Sequence, residues 1–248
     1  MLATMFASHA AISSEEHPCS FSAMDTEVSQ TIHFSEGKLI EVAFLSVKKG
    51  KQKQLNEQYF KQVMPIAGEY GMKHLVNLMV TDIPSGTNTP QMVGFFEWPS
   101  LEARLKFSKD KRFLRIKGIR DDALSYLKEG YFSVKQDTDV TFKQNHLYEV
   151  YAMWMNAKNA PKMGEYFKRV GATAHKFGAR FPISFNPVKN TIGSYQPHVL
   201  GIAEWPDSKS NKAFFATRTF KDAKHLRSAA VDTLDVLHTK LIVPPTRK

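Results

Sequence analysis

The sequence predicts an α+β protein built from two similar halves. The segment VGFFEWPSLEARLKF at residues 93–107 returns in related form as LGIAEWPDSKSNKAFF at residues 200–215. Glycine, glutamate, tryptophan and proline recur between the two segments at a constant offset of 107 residues. A constant offset shared by several residue types indicates an internal duplication. In each half, strand and helix periodicities alternate in the order β-α-β-β-α-β.

The match extends along most of each half. Glu41 matches Glu149 at an offset of 108, which a single inserted residue near the start of the following helix explains. Pairs at the offset of 107 are Tyr59 with Tyr166, Val63 with Val170, Ala67 with Ala174, Gly71 with Gly178, Pro90 with Pro197, Phe113 with Phe220 and Arg120 with Arg227.

The first half opens with a strand and a helix. Residues 38–47 are rich in β-branched and large apolar side chains and are bounded by glycines, which predicts a strand. Residues 52–70 carry an apolar stripe at spacings of three and four, which predicts a helix. Gly71 is the expected end of this helix, and Pro65 is expected to kink or break it.

Two more strands, a second helix and a final strand complete the first half. Residues 73–83 and 91–98 predict two strands joined by a turn that contains proline and glycine. Ser100 is the expected N-terminal cap of a helix that is interrupted at residues 108–112 and reaches residue 127. Residues 131–134 are the predicted fourth strand.

The second half repeats this order, with its long final helix predicted at residues 209–237 and its last strand at 240–243. The predicted divisions are a mostly disordered extension at 1–37, a first repeat at 38–135, a linker at 136–145, a second repeat at 146–243 and a tail at 244–248.

The order β-α-β-β-α-β is that of the ferredoxin-like unit, in which the helices cover one face of a four-stranded antiparallel sheet. The other face of that sheet must also be covered. Two fused copies can cover each other sheet to sheet, so we expect the repeats to form an intramolecular barrel that behaves as a monomeric pseudo-dimer or as a homo-oligomer of it.

Each repeat also carries a longer motif, in which a strand ends in Glu-Trp-Pro and the following helix carries an aromatic pair and a late arginine. In the first half its residues are Glu97, Trp98, Pro99, Ser100, Ala103, Phe107, Phe113 and Arg120. In the second half they are Glu204, Trp205, Pro206, Asp207, Phe214, Phe220 and Arg227. In this motif the chain resembles the dimeric α/β-barrel superfamily, and most closely the domain-of-unknown-function family DUF1330. The resemblance implies the fold, but no particular activity.

Composition limits the function. The 248 residues carry a formal charge of +10, and residues 1–37 contain five acids and no Lys or Arg. The basic remainder can attract an anionic ligand, nucleic acid or an acidic surface, and the alternative is a solvated basic surface with no such partner. Cys19 is the only cysteine, so no internal disulfide is possible. The extension lacks the charged and apolar regions of a secretory signal, so a cytoplasmic protein with no membrane segment is expected.

Four carboxylates are candidates for acid–base chemistry. Glu41 opens the first strand and Glu97 closes the third, so both are expected at one end of the sheet, and Glu149 and Glu204 repeat the arrangement. A close carboxylate pair raises one pKa and suits a general acid or base. The alternative is that these glutamates are tied to cationic side chains or to backbone N–H groups.

Basic and aromatic residues supply candidates for ligand binding. Arg120 and Arg227 share the apolar stripe of their helices, so each must find an anion or extend outward. They can hold a ligand carboxylate, or pin the helix to an acid such as Glu97 or Glu204. The aromatic candidates for a pocket wall, which can equally be core residues, are Tyr59, Tyr166, Trp98 and Trp205.

The sequence therefore favours a cofactor-independent enzyme or binding protein without a metal. In that reading, Glu97 or Glu204 acts as base and Arg120 or Arg227 steers a small anionic, aromatic or enolisable molecule. The alternative is a non-catalytic structural or interaction protein with no small-molecule site. RNA binding is not favoured, because the third strand has an acid and a proline where an RNA-binding strand needs exposed aromatic and basic residues. The swap of Phe96 for Ala203 predicts that the two pockets have diverged, with unequal volumes and at most one functional site.

Overall fold

Eight antiparallel strands close into a barrel in a computed structural model that describes residues 28–189 and 192–243. The strands in order around the barrel are β10 (Val231–Leu241), β3 (Lys73–Ser85), β4 (Met92–Trp98), β2 (Leu39–Val47), β5 (Leu124–Ser133), β8 (Arg180–Pro187), β9 (Val199–Trp205) and β7 (Leu147–Met155). In each half the strands follow the same order, which is second, third, first and fourth along the chain. Pairings of β5 with β8 and of β10 with β3 join the halves.

The helices pack on the outside of the barrel, and the apolar cluster inside it contains no helical residue among those described. The helices are α1 (Gln52–Gln54), a π-helix (Leu55–Phe60), α2 (Lys61–Glu69), α3 (Leu101–Ser108), α4 (Lys111–Ala123), α5 (Pro161–Lys176), α6 (Ser208–Ala216) and α7 (Arg218–Ala230). None of the described helices is long and apolar enough to cross a membrane.

Strand β2 shows how two buried faces arise from one apolar run. Because side chains alternate across a strand, Ile40, Val42 and Phe44 enter the barrel core. Leu39 and Leu45 point the other way and pack under the helices. The predicted α+β class with an antiparallel sheet and outer helices is thus confirmed.

The predicted helix caps are confirmed, whereas the predicted irregularity at Pro65 lies earlier in the chain. Ser100 Oγ accepts a hydrogen bond from Ala103 N at 3.2 Å, and Asp207 caps α6 in the same way in the second half. The expected interruption separates α3 from α4. Pro65 lies inside α2, and the irregular helix comes before it, in the π-helix.

Two predicted helix ends are wrong. The long helices were expected to reach residues 127 and 237, but strands begin at Leu124 and Val231 instead. The apolar spacing of these segments fits a helix, but β5 forms a long ladder with β2, and β10 forms one with β7. Pairing between strands overrides local helical preference here.

The predicted disordered extension and linker also need correction. Ser29–Phe34 forms β1, which pairs antiparallel with β6 (Thr138–Lys143) across the expected linker. Ile32, Phe34, Val140 and Phe142 from these strands join the cluster inside the barrel. Their alternating apolar residues favour strands, and their burial offsets the cost of ordering them. Residues 1–27 of the predicted extension and the tail at 244–248 lie outside the described residues.

Gly71 is required by its conformation and by a close contact. Its φ is +80°, and an added Cβ would lie 2.5 Å from Pro99 Cγ. We expect Gly71→Ala to lower the free energy of unfolding by at least about 1 kcal/mol, as measured by urea denaturation. Gly118→Ala is the matched control, because Gly118 is helical and nothing lies within 4 Å of its added Cβ. A neutral effect of Gly71→Ala would contradict this account.

Candidate functional site

Each half of the chain has a pocket between the outer face of the barrel and its helices. The N-terminal pocket has an empty volume of about 650 Å³, and its lining includes Glu41, Tyr59, Trp98, Arg104, Arg120 and Glu129. The C-terminal pocket has about 590 Å³, and its lining includes Glu149, Tyr166, Phe181, Trp205, Arg227 and Val236. The two volumes, which include space open to solvent, are similar, so the prediction of unequal volumes is wrong. The expected divergence appears in the chemistry of the linings.

A buried ion pair forms one side of the N-terminal pocket. Glu41 Oε2 accepts hydrogen bonds from Trp98 Nε1 and from Arg104 Nε, both at 2.7 Å. Arg104 is only 6% exposed and comes from α3, one turn after the Ser100 cap. Its guanidinium also lies 5.5 Å from the centre of the Tyr131 ring. Glu41 is therefore held on two sides by donors.

Glu129 is the carboxylate of this pocket without a short ion pair. Its Oε2 lies 3.8 Å from Arg104 Nη2, and its Oε1 lies 3.7 Å from Arg120 Nη1. Burial and, after it, the nearby Glu41 raise the pKa of Glu129 against the lowering effect of the two arginines, and the result is a pKa of about 7. Its side chain keeps 21% exposure, so a ligand can reach it.

Arg120 lies beside Glu129 on an aromatic surface. Its guanidinium carbon lies 6.0 Å from the ring centres of Tyr59 and Phe113, and its Nε and Nη2 donate to Asp121 Oδ1 at 3.0 and 2.9 Å. The expected alternative anchor, Glu97, is not its partner. Burial raises the pKa of Tyr59 to about 12, so the phenol stays protonated at neutral pH and can donate a hydrogen bond.

The C-terminal pocket keeps only part of this cluster. Glu149 Oε2 accepts from Trp205 Nε1 at 2.8 Å and from Asn211 Nδ2 at 3.3 Å, and burial raises the pKa of Glu149. At the offset of 107, Asn211 stands where the first half has Arg104, and Val236 stands where it has Glu129. The second half therefore lacks two of the four charges of the N-terminal pocket.

Glu97 and Glu204 do not join either pocket, which corrects the expected carboxylate pairs. Glu97 lies opposite Ile40 in the sheet, on the face that points into the barrel, whereas Glu41 lies opposite Phe96 on the outer face. Glu97 instead accepts from Ser35 N at 3.3 Å and pairs with Lys73 at 3.4 Å. Glu204 lies 2.7 Å from His146 Nδ1. Side-chain alternation in the strands separates acids that share one end of the sheet.

Eight of the ten residues predicted to bind ligand or catalyse do line the pockets. Besides Glu41 and Glu149, they are Tyr59, Tyr166, Trp98, Trp205, Arg120 and Arg227. The sequence reasoning missed Arg104 and Glu129. Both residues lack a like residue in the second half, so a search for matched positions passes over them. Within residues 28–189 and 192–243, no three His, Cys, Asp or Glu residues come together as a possible metal site.

Comparison with known proteins shows which fold this geometry shares. Residues 148–238 match the family model DUF1330, a domain of unknown function. An anthrone oxidase-like protein superposes with a TM-score of 0.56 at 12% identity, covering 86% of this chain and 95% of that one. A mutant chlorite dismutase from Candidatus Nitrospira defluvii gives 0.53 at 9% identity, covering 84% and 93%. No curated protein matches the sequence significantly. At these identities the likeness establishes the fold alone: residues 148–238 resemble the DUF1330 family, and the chain has the fold of the dimeric α/β-barrel proteins.

Proposed function

We propose that the N-terminal pocket binds a small enolisable organic acid and moves a proton on it without a cofactor. The observation that carries the proposal is Glu129, a carboxyl group with a near-neutral pKa that lines an otherwise largely apolar pocket between two arginines. A general base works best when its pKa lies close to the working pH. The pocket therefore combines apolar walls for an aromatic or aliphatic body with a base and a cationic group.

The residues divide the task as follows. Arg120 holds the ligand carboxylate through Nη1, whose closest described carboxylate is 3.7 Å away. The carboxylate of Glu129 takes a proton from the carbon next to the ligand carbonyl, and the electron pair moves to form an enolate. Tyr59 donates a hydrogen bond to the enolate oxygen. Protonated Glu129 then returns the proton either to that oxygen, which gives the enol, or to the carbon, which restores the ketone. The net reaction is a tautomerisation and needs no oxidant.

The test uses phenylpyruvate, which is anionic, aromatic and enolisable, with its keto–enol conversion followed by ultraviolet absorbance. We expect Glu129→Gln to slow the catalysed conversion by on the order of 100-fold or more, because it removes the base. Glu149→Gln is the matched control in the other pocket and should leave the rate unchanged. The wild-type rate should rise with pH through the Glu129 pKa of about 7, since only the carboxylate accepts a proton.

Two outcomes would overturn the catalytic proposal. A second candidate function is purely structural. Glu41 already accepts hydrogen bonds from Trp98 and Arg104, which favours a cluster that only stabilises the fold. If phenylpyruvate raises the melting temperature but is not converted, the pocket is a binding site without this activity. If it neither binds nor reacts, the structural role is the better account.

The Glu129 pKa can be checked without any ligand. Between the ordinary carboxyl pKa of 4.5 and about 7, folded Glu129 keeps a proton that the unfolded chain has lost. The free energy of unfolding should therefore fall as the pH rises across this window. Glu129→Gln should reduce that slope in urea denaturation measured at several pH values. An unchanged slope would show that the pKa of Glu129 is not raised.

We propose, in addition, that the fold arose by duplication of a ferredoxin-like unit and works in the cytoplasm as a monomeric pseudo-dimer. The shared strand order of the two halves supports the duplication. A repeated close contact supports it as well: Gly71 lies against Pro99 in the first half, and Gly178 lies against Pro206 at the equivalent position in the second half. On this account residues 38–135 and 146–243 are the repeats.

A further inference from the structure

The guanidinium of Arg227 in the C-terminal pocket has no carboxylate within ion-pair distance among the described residues. Its carbon lies 5.8 Å from the ring centre of Tyr166 and 5.3 Å from that of Phe220. Its counterpart Arg120 has Asp121 at 2.9 Å and Glu129 at 3.7 Å. The Tyr166 hydroxyl also interacts with this guanidinium. Because a guanidinium carries five N–H donors, Arg227 keeps further donors for an anion.

The acid of the same pocket is already engaged elsewhere. Glu149 Oε2 accepts hydrogen bonds from Trp205 Nε1 and Asn211 Nδ2, which are both neutral donors. Burial raises the pKa of Glu149 and the charge of Arg227 lowers it, but the two side chains form no ion pair. Val236 occupies the position of Glu129, so the second acid of the N-terminal pocket is missing here. The C-terminal pocket thus offers one cation that no described acid pairs with directly.

The rest of this pocket suits an apolar body. Its lining includes Met153, Met163, Phe214 and Leu234, which are all apolar. Methionines adapt to ligands of irregular shape.

Two exposed aromatic residues also belong to this lining. Phe167 and Phe181 are 40% and 43% exposed, and their ring centres lie 6.2 Å apart. In the first half His74 stands in place of Phe181. Exposed aromatic side chains on a concave surface are typical of a site that receives an apolar group.

We infer that the C-terminal pocket binds an amphipathic monoanion, in which a carboxylate carried by an apolar chain or ring is held by Arg227. The carboxylate accepts hydrogen bonds from the guanidinium, and the apolar body lies against the methionines and against Phe167 and Phe181. This site is distinct from the N-terminal pocket and does not depend on the activity proposed there. The two halves thereby recognise different ligands with a similar framework.

The test is the binding of decanoate, followed by titration calorimetry at neutral pH. We expect one site per chain in the wild-type protein. Arg227→Met should weaken decanoate binding by on the order of tenfold to a hundredfold, the usual effect of losing a charge-assisted hydrogen bond. Arg218→Met is the matched control and should keep the wild-type affinity, because Arg218 lies on the same helix as Arg227 but is 94% exposed and pairs with Asp222 outside the pocket. Uncharged 1-decanol should bind Arg227→Met and the wild type equally.

A second variant keeps the test decisive if Arg227→Met does not fold. Phe181→His places the residue of the first half at an exposed position, so it should fold normally and weaken decanoate binding several-fold. Wild-type affinity in either variant would overturn the inference. It would also fail if Arg218→Met weakened decanoate binding as much as Arg227→Met did.

Discussion

Replacing Arg104 with methionine is expected to lower the free energy of unfolding by about 3–5 kcal/mol at pH 7, the usual cost of removing one partner of a buried ion pair. Arg104 donates to Glu41 at 2.7 Å, and the two side chains are only 7% and 9% exposed. Methionine has a similar shape but no charge. The substitution therefore leaves a buried carboxylate with Trp98 as its main remaining donor.

A double variant separates the loss of the pair from a general loss of packing. Glu41→Gln combined with Arg104→Met removes both charges, so it should recover much of the stability lost in Arg104→Met. Asn211→Leu is the matched control in the second half, where a neutral amide takes the place of Arg104, and it should cost about 1 kcal/mol. Denaturant unfolding measures all three. A loss below about 1 kcal/mol in Arg104→Met would show that Glu41 does not depend on it.

Much of the fold could be predicted because the sequence patterns that indicate it are local and occur in both halves. Strand β2 begins and ends within a residue of the predicted span, since its apolar run ends sharply at glycine-rich turns. The Ser100 cap is visible in the sequence because a serine follows a strand-ending proline. The repeat then transfers each of these assignments to the second half.

The errors fall where distant pairing decides the structure. Leu124 and Leu127 fit a helical stripe, but hydrogen bonding to β2 makes their segment a strand. Strand β1 pairs with β6 across more than a hundred residues of sequence, and no local pattern shows that partner. Such contacts are seen only once the barrel is closed.

The candidate site was only partly predictable, for a related reason. The duplication draws attention to residues that both halves share, such as Glu41 with Glu149 and Arg120 with Arg227. Arg104 and Glu129 have no like counterparts, and they are the residues that distinguish the N-terminal pocket. Shared residues maintain the framework of both pockets, whereas the unmatched ones set the chemistry that we propose.

Strand β1 should contribute strongly to stability although it lies outside both predicted repeats. Phe34 is fully buried, and its ring meets Phe95 of the first half at 6.2 Å and Phe185 of the second half at 5.4 Å. We expect Phe34→Ala to lower the free energy of unfolding by about 3–5 kcal/mol, because it opens a cavity between the two halves. Urea denaturation would measure the loss.

The neighbouring His33 provides the control for this strand. Its side chain is 55% exposed and contacts Asp139 at the surface, so His33→Ala should cost less than about 1 kcal/mol. If Phe34→Ala cost no more than His33→Ala, β1 would be only a surface addition. A large difference would instead show that burial of β1 inside the barrel helps to hold the two halves together.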